Sequence, residues 1–254
     1  MSDATGPVVL FLPARNEGAT VGEVIRRAPS TAGGHPVLCL VIDDGSSDAT
    51  ADVASQAGAE VISLEAPLGL GAAVRRGLSE AVARDAVAVA FCDADREYDP
   101  AELETLVTEI LAGRADYVVG SRFSGGPRRM RVHRMLGNWV LSRLLSLVAG
   151  VHISDGQSGY RALSRQAAAA AEVIHDFNYA QVLTLDLLAK GFAYREVPIS
   201  YSYRASGRSF VRPIPYLLRV IPAVIRELNG PPAPSGGQDL ASLSPLPHAT
   251  RRRP

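Results

Sequence analysis

Cysteine, tryptophan and any surplus of one charge are scarce in this 254-residue chain. Its two cysteines, Cys39 and Cys92, both lie inside apolar runs. That excludes a disulfide framework and points to reduced core thiols in a cytoplasmic protein. Lys+Arg and Asp+Glu are both 26, so the global charge favours neither nucleic acid nor an acidic partner. The N-terminal "MSDATGPVVLFLP" has no basic leader, so no signal peptide is expected. The longest apolar helical stretch, 136–151, is interrupted by Arg143. It falls short of the roughly 20 residues a membrane span needs, which leaves work at a membrane surface open. A dinucleotide fingerprint is excluded because Val74 stands where the third glycine after Gly69 and Gly71 is required. No G-x-x-x-x-G-K-[ST] occurs, and His35, His133, His152, His175 and His248 show no metal-ligand spacing.

Against these absences stands a regular alternation. Apolar strand candidates at 8–13, 37–43, 59–64, 87–93 and 117–121 alternate with helical patterns at 18–28, 48–57, 70–83 and 100–112. Strands rich in Val, Ile and Leu without polar alternation belong to sheets covered on both faces. The order predicts an α/β fold with a mostly parallel central sheet flanked by helices. Further helices are predicted at 135–150, 164–173, 179–190 and 213–228, with a half-exposed or edge strand at 194–204. Residues 1–229 read as one domain, with a nucleotide-binding half at about 7–125 and an acceptor half at about 126–229; the Pro-, Ser- and Gly-rich stretch 230–254 reads as a flexible tail. Ligands of such sheets bind beyond the carboxyl ends of the strands. There the chain places "PARNEG" (13–18), "DDGSSD" (43–48), "EAPLGLGAA" (65–73), "DADRE" (93–97) and "GSRFSGG" (120–126).

The chemistry concentrates in "DADRE". Asp93 and Asp95 leave a strand end two residues apart, and Glu97 adds a third oxygen donor. Like charges so placed repel unless a cation sits among them, and hard divalent ions such as Mg²⁺ or Mn²⁺ take such ligands. Asp99 before Pro100 is accounted for as a helix cap. The doubled Asp43–Asp44 ends a buried strand, where a carboxylate can accept from a ribose hydroxyl or base N–H. Gly69 and Gly71 allow close approach of an anion to a helix N-terminus. Arg122, Arg128, Arg129, Arg131 and Arg134 fall in a stretch without an acid, a candidate cationic patch. Trp139, on the apolar helix, fits either a core position or an interfacial helix beside these arginines.

Taken in order, "LPARNEG", "VIDDGSSDAT", "GLGAAVRRGL", "DAD", "GSR", "SDGQSGYRAL" and "YRASGRS" resemble the family 2 glycosyltransferases of the GT-A fold. The resemblance is greatest to dolichyl- or polyprenyl-phosphate mannose and glucose synthases, over about residues 7 to 228. It implies a metal-dependent inverting transfer of mannose or glucose from a nucleotide-diphosphate sugar, GDP- or UDP-linked, to an acceptor, foremost a polyprenyl phosphate. Asp93 and Asp95 match the metal-diphosphate motif, with Glu97 as a third metal contact. Pro13, Arg15, Glu17 and Asp44 fall where the family holds the base and ribose, with Gly71 on the same donor side. Arg122 falls where the acceptor phosphate is met. Asp155 begins a D-x-x-x-G-[YF]-R pattern that ends at Arg161. Arg204, Gly207 and Ser209 match R-x-x-G-x-S, whose arginine reaches the donor diphosphate. Phe210 replaces a customary Lys and Gln181 a customary Glu, and neither Arg131 nor Arg134 is in register with a second phosphate-binding arginine.

The implied site is cytoplasmic, with the inner membrane face as a working surface. Were the acceptor a hydroxyl, a carboxylate base would be needed, and Asp155 is the candidate. A nucleotidyltransferase would also carry paired aspartates, but "PARNEG" is not its basic Gly-rich signature. A non-catalytic nucleotide-sugar-binding protein is the remaining alternative, against which the intact motifs argue.

Overall fold

A computed structural model describes residues 5–123, 132–174 and 179–202. Strands β1 (Val8–Ala14), β3 (His35–Asp43), β4 (Glu60–Ser63), β5 (Ala88–Phe91) and β6 (Tyr117–Ser121) form where the apolar runs predict them. Three strands complete the sheet: β2 (Thr31–Ala32), β7 (Arg161–Ser164) and β8 (Tyr194–Pro198). The order is β2-β3-β1-β5-β7-β6-β8, with β4 also paired to β3. β3, β1 and β5 are parallel neighbours, as are β3 with β4 and β6 with β8.

The sheet is mixed rather than simply parallel, because β7 runs antiparallel between β5 and β6, and β2 runs antiparallel to β3. The reversal has a consequence for the site. Phe91 and Val119, towards the carboxyl ends of β5 and β6, both pair with Arg161, the first residue of β7. The loop that enters β7 therefore opens at the same edge as the parallel strand ends.

Side-chain alternation explains the unbroken apolar runs. Val8, Leu10 and Leu12 pack on one face with helices α1 (Val21–Arg27), α2 (Thr50–Gln56) and α4 (Leu103–Leu111). Val9 and Phe11 pack on the other with α3 (Leu70–Ala83), α6 (Arg165–Ala170) and α7 (Ala180–Ala189). Both faces of the strand are thus dry, so no polar position is tolerated along it. Gly77 lets α3 lie directly on β1: a Cβ there would come within 2.4 Å of the Phe11 ring. Asp99 accepts from the Ala101 amide at 3.1 Å, with Pro100 opening a 3-10 turn (Pro100–Glu102) ahead of α4.

Helix α5 (Val132–Ala149) follows β6. Among the described residues, no helix is long and apolar enough to cross a membrane. Cys92 is buried, Cys39 partly so, and both are free thiols. The helix expected at 213–228, Arg204, Gly207, Ser209 and the 230–254 tail lie outside the described residues.

Candidate active site

The 13–18 and 43–50 loops are laced together. The Asn16 amide donates to Ser46 Oγ (2.9 Å), and Asn16 Oδ1 accepts from the Ser47 amide (2.8 Å). The Glu17 amide donates to Thr50 Oγ1 (2.8 Å) and the Gly18 amide to Asp48 Oδ2 (3.1 Å). Pro13 is buried at the end of β1, Arg15 is exposed, and Glu17 Oε2 accepts from Thr20 Oγ1 (2.9 Å). Asn16 adopts a left-handed φ of 55°, which its own loop-bridging bonds hold in place.

Asp43 and Asp44 are almost fully buried. Asp43 Oδ1 accepts from the Ser46 amide (3.1 Å) and Oδ2 from Ser63 Oγ (3.2 Å). Asp44, expected to face the ribose, accepts from the Leu68 amide (2.7 Å) and the Gly69 amide (2.9 Å). Its carboxylate thus anchors the turn that opens α3, where Gly69 has φ 98° and Gly71 is buried in the first turn. That is a sound use of a buried carboxylate, because each oxygen has a donor.

Asp93 and Asp95 lie just past β5, both partly buried, and Asp95 Oδ1 accepts from the Glu97 amide (3.0 Å) across a turn in which Arg96 has φ 67°. Burial, then the charges of Asp95 and Glu97, raise the Asp93 carboxyl to about 7, partly offset by Arg122. Glu97 Oε2 accepts from Tyr201 Oη (3.0 Å), and the Glu97 carbonyl from the Ser202 amide (3.0 Å). Among the described residues, no three His, Cys, Asp or Glu side chains are gathered into a ready metal-binding group. The Asp93–Asp95–Glu97 triad expected from the sequence is therefore not preassembled. A Mg²⁺ site of the kind completed by substrate phosphates and water needs only one or two carboxylates. The crowded negative charge at Asp93 fits such an ion.

The loop entering β7 forms the wall behind Asp93. The Gly159 amide donates to Tyr98 Oη (2.7 Å), and a Cβ on Gly159 would sit 2.5 Å from Asp93 Oδ2. Tyr98 is buried and packs edge-on to Tyr160 and Tyr201. The same loop holds Arg122. Asp155, wholly buried, accepts Nε through Oδ2 (2.7 Å) and Nη2 through Oδ1 (2.7 Å). The Arg122 amide donates to Oδ2 (3.0 Å) and Asn138 Nδ2 to Oδ1 (2.8 Å). Burial pushes the Asp155 carboxyl up, but these donors outweigh it and hold it below the ordinary carboxylate range. Arg122 also lies over the Tyr201 ring, 5.2 Å from its centroid.

Several site residues were not singled out by the sequence. Glu196, on β8, accepts from the Ser154 amide (2.9 Å) and the Asp155 amide (3.1 Å), fixing the turn that presents Asp155. Tyr98, Tyr201 and Gly159 carried no composition or charge signal, although Gly159 sits inside the D-x-x-x-G-[YF]-R pattern. Arg161, which the sequence pattern did reach, is fully buried and spans the site floor: Nε donates to the Ser158 carbonyl (2.8 Å), Nη1 to the Ala180 carbonyl (2.8 Å) and Nη2 to the Gly156 carbonyl (3.1 Å). It also bonds Tyr117 Oη.

Comparison with known proteins places this geometry. Residues 9–170 match the family described as Glycosyl transferase family 2. The chain is 32% identical over 197 residues to a dolichyl-phosphate hexose transferase of Haloferax volcanii, covering 75% of this chain and 80% of that one. It is 28% identical over 217 residues to a polyprenol monophosphomannose synthase of Mycolicibacterium smegmatis, covering 81% of each. The fold matches glucosyl-3-phosphoglycerate synthase from Mycobacterium tuberculosis, solved with Mn²⁺, UDP and glucosyl-3-phosphoglycerate. For that pair the TM-score is 0.68, with 25% identity over 91% of this chain and 82% of that one. The same enzyme has also been solved with Mg²⁺ and UDP. With its GT-A-type α/β architecture and family match, the chain belongs to glycosyltransferase family 2.

Proposed function

We propose that this glycosyltransferase is a hexosyltransferase that moves mannose or glucose from a GDP- or UDP-linked donor to a polyprenyl phosphate, with inversion at the anomeric carbon. The observation that carries the acceptor is the Arg122–Asp155 pair. Asp155, the carboxylate a hydroxyl acceptor would call on as base, is buried, and both its oxygens are occupied by donors. It therefore acts on Arg122 rather than on substrate. A fixed guanidinium suits an acceptor that arrives already anionic, because a phosphate oxygen needs positioning and no deprotonation. The names of the Haloferax and Mycolicibacterium relatives, both lipid-phosphate glycosyltransferases, support the same acceptor class.

On the donor side, Pro13, Arg15, Glu17 and Asp44 border the base and ribose pocket, with Gly71 in the first turn of α3. Asp93 and Asp95 would hold a Mg²⁺ or Mn²⁺ ion, with Glu97 at its margin; that ion would bind the diphosphate and stabilise the charge on the departing nucleotide. Arg204 and Ser209 are assigned to the diphosphate on sequence alone. Gly159 and Tyr98 keep Asp93 oriented, and Arg122 steers the acceptor oxygen to the sugar face opposite the leaving group.

A second reading is favoured by the glucosyl-3-phosphoglycerate synthase likeness: a small phosphorylated hydroxyl acceptor. The two separate in one experiment. With radiolabelled GDP-mannose and UDP-glucose, each with Mn²⁺, a polyprenyl phosphate and phosphoglyceric acid are offered in turn. Label in the organic phase supports the lipid-phosphate reading. Label only in a water-soluble product overturns it.

A further inference from the structure

Beyond β8 one short segment, residues 199–202, crosses from the acceptor side of the site to the donor side. Its backbone is tied at both ends. The Ile199 amide donates to the Ser121 carbonyl (3.2 Å), and the Ser202 amide donates to the Glu97 carbonyl (3.0 Å). Between them the Ser200 amide donates to the Glu102 carboxylate, 3.0 Å from each oxygen. Gly120 lets Ile199 lie close, since a Cβ there would come within 2.7 Å of Ile199 Cδ1. The segment thus straps the loop after β5 to the end of β6.

Tyr201 is the side chain that the strap presents to both loops. Its hydroxyl donates to Glu97 Oε2 (3.0 Å), two residues beyond Asp95. Its ring receives the Arg122 guanidinium, 5.2 Å from the centroid. Tyr98 packs edge-on against the same ring at 5.8 Å, and Tyr98 Oη is itself held by the Gly159 amide (2.7 Å). Tyrosine suits such a place, because one end is a polar donor and the rest is a π face that attracts a cation.

The two contacts answer one electrostatic problem. Asp93, Asp95 and Glu97 crowd negative charge near Arg122, which is close enough to pull the Asp93 carboxyl down against burial. A loose guanidinium would be drawn to those acids. Asp155 takes Nε and Nη2, leaving Nη1 outside the fork, and the Tyr201 ring takes the planar face. The Glu97 carboxylate, given a hydroxyl donor, is in turn held in one orientation. We propose that Tyr201 is a positioning residue for the transfer: its ring sets Arg122 for an anionic acceptor, and its hydroxyl sets Glu97 on the donor side. The inference rests on the roles proposed above for Arg122 and Glu97, and adds the side chain that keeps the two in register.

Two variants separate the halves of the side chain. Tyr201→Phe keeps the ring and loses the hydroxyl, whereas Tyr201→Leu loses both. Each is prepared as the full chain and titrated calorimetrically with GDP and with UDP in Mn²⁺; kcat and KM for a polyprenyl phosphate are then measured at saturating donor. Tyr201→Phe is expected to weaken Mn²⁺-nucleotide binding by about fivefold, because a carboxylate that must be ordered on binding holds its partner less tightly. Its acceptor KM is expected to stay within about twofold of wild type, since the ring still faces Arg122. Tyr201→Leu is expected to show the same loss of nucleotide affinity and, in addition, an acceptor KM raised about tenfold with kcat little changed.

A purely structural role would move both readouts together in both variants, in step with thermal stability. An acceptor KM raised as much by Tyr201→Phe as by Tyr201→Leu therefore overturns the inference. So does nucleotide binding in Tyr201→Phe that equals or exceeds wild type, or an unchanged acceptor KM in Tyr201→Leu. Tyr201→Phe, which differs by one oxygen, tests the hydroxyl even where Tyr201→Leu does not fold. The acceptor reading is judged separately. If wild type labels phosphoglyceric acid and not the polyprenyl phosphate, that reading falls, and the same comparison of KM values with phosphoglyceric acid, itself anionic, decides the role of Tyr201.

Discussion

Asp93 is held at a cost to the fold. Its carboxyl is raised to about 7 by burial and by its acidic neighbours, whereas in the unfolded chain it titrates near 3.8. Between those values the native state holds a proton that the unfolded state has released. The metal-free protein therefore loses stability as pH rises through that window. Asp93→Asn removes the penalty. At pH 8 the metal-free variant is expected to be more stable than wild type by on the order of 1–2 kcal/mol, the advantage fading towards pH 4. Thermal denaturation in EDTA across pH 4 to 8 measures this, and an advantage that grows as pH falls would refute it. The same variant is expected to lose metal-dependent donor binding.

Gly159 acts on the same carboxylate from behind. A methyl group at 2.5 Å from Asp93 Oδ2 must displace either the carboxylate or the loop. Gly159→Ala is expected to weaken Mn²⁺ and nucleotide binding at least about tenfold, since a displacement near 1 Å in a site is costly. Titration calorimetry checks this directly, and binding equal to wild type would show that the wall is not a wall. The paired aspartates were legible in the sequence as crowded negative charge. The contact with Gly159 was not, because it joins residues 66 positions apart and depends on where β7 enters the sheet.

At the scale of elements, the apolar runs announced β1, β3, β4, β5 and β6 closely, since strands buried on both faces leave an uninterrupted hydrophobic signature. The short strand β7 stayed hidden. Its four residues follow a polar loop, and its antiparallel register is set by the partners β5 and β6 rather than by its own sequence. α5 was visible as a helix, but periodicity does not say which side faces in. Its polar side turned inward because Asp155 and the 153–156 backbone need donors and acceptors there.

Arg161 joins β7 to α7 through buried carbonyls and lies near the rings of Tyr117 and Tyr179. Arg161→Leu would leave the carbonyls of Ser158, Gly156 and Ala180 without this donor. It is expected to destabilise the fold by about 3–5 kcal/mol, as for other broken buried charged networks. Urea denaturation with an unchanged m-value would register this as a loss of stability. A loss below about 1 kcal/mol would show that water replaces the guanidinium and that the floor is not rigid.

Across the whole molecule, the sheet gathers the loops after β1, β3, β5 and β6, and the loop before β7, at one edge. The loop before β7 thereby backs two strand ends at once: Gly159 lies against Asp93, and Asp155, four residues earlier, holds Arg122. The convergence at the strand ends was readable from the alternation of strands and helices alone. The occupancy of Asp44 and Asp155 by internal donors was not, because an acid in a sequence carries no mark of whether a ligand or the backbone will satisfy it.

Asp95, with Asp93, is proposed to support metal-dependent hexose transfer to a lipid phosphate. The most direct measurement is initial rate for wild type and Asp95→Ala, with a polyprenyl phosphate and the preferred nucleotide hexose, in Mn²⁺ and in EDTA. Organic-phase product is expected from wild type in Mn²⁺ alone, with a loss of at least about 100-fold in either EDTA or the variant. Wild-type rates in EDTA, or an undiminished rate in Asp95→Ala, would contradict it.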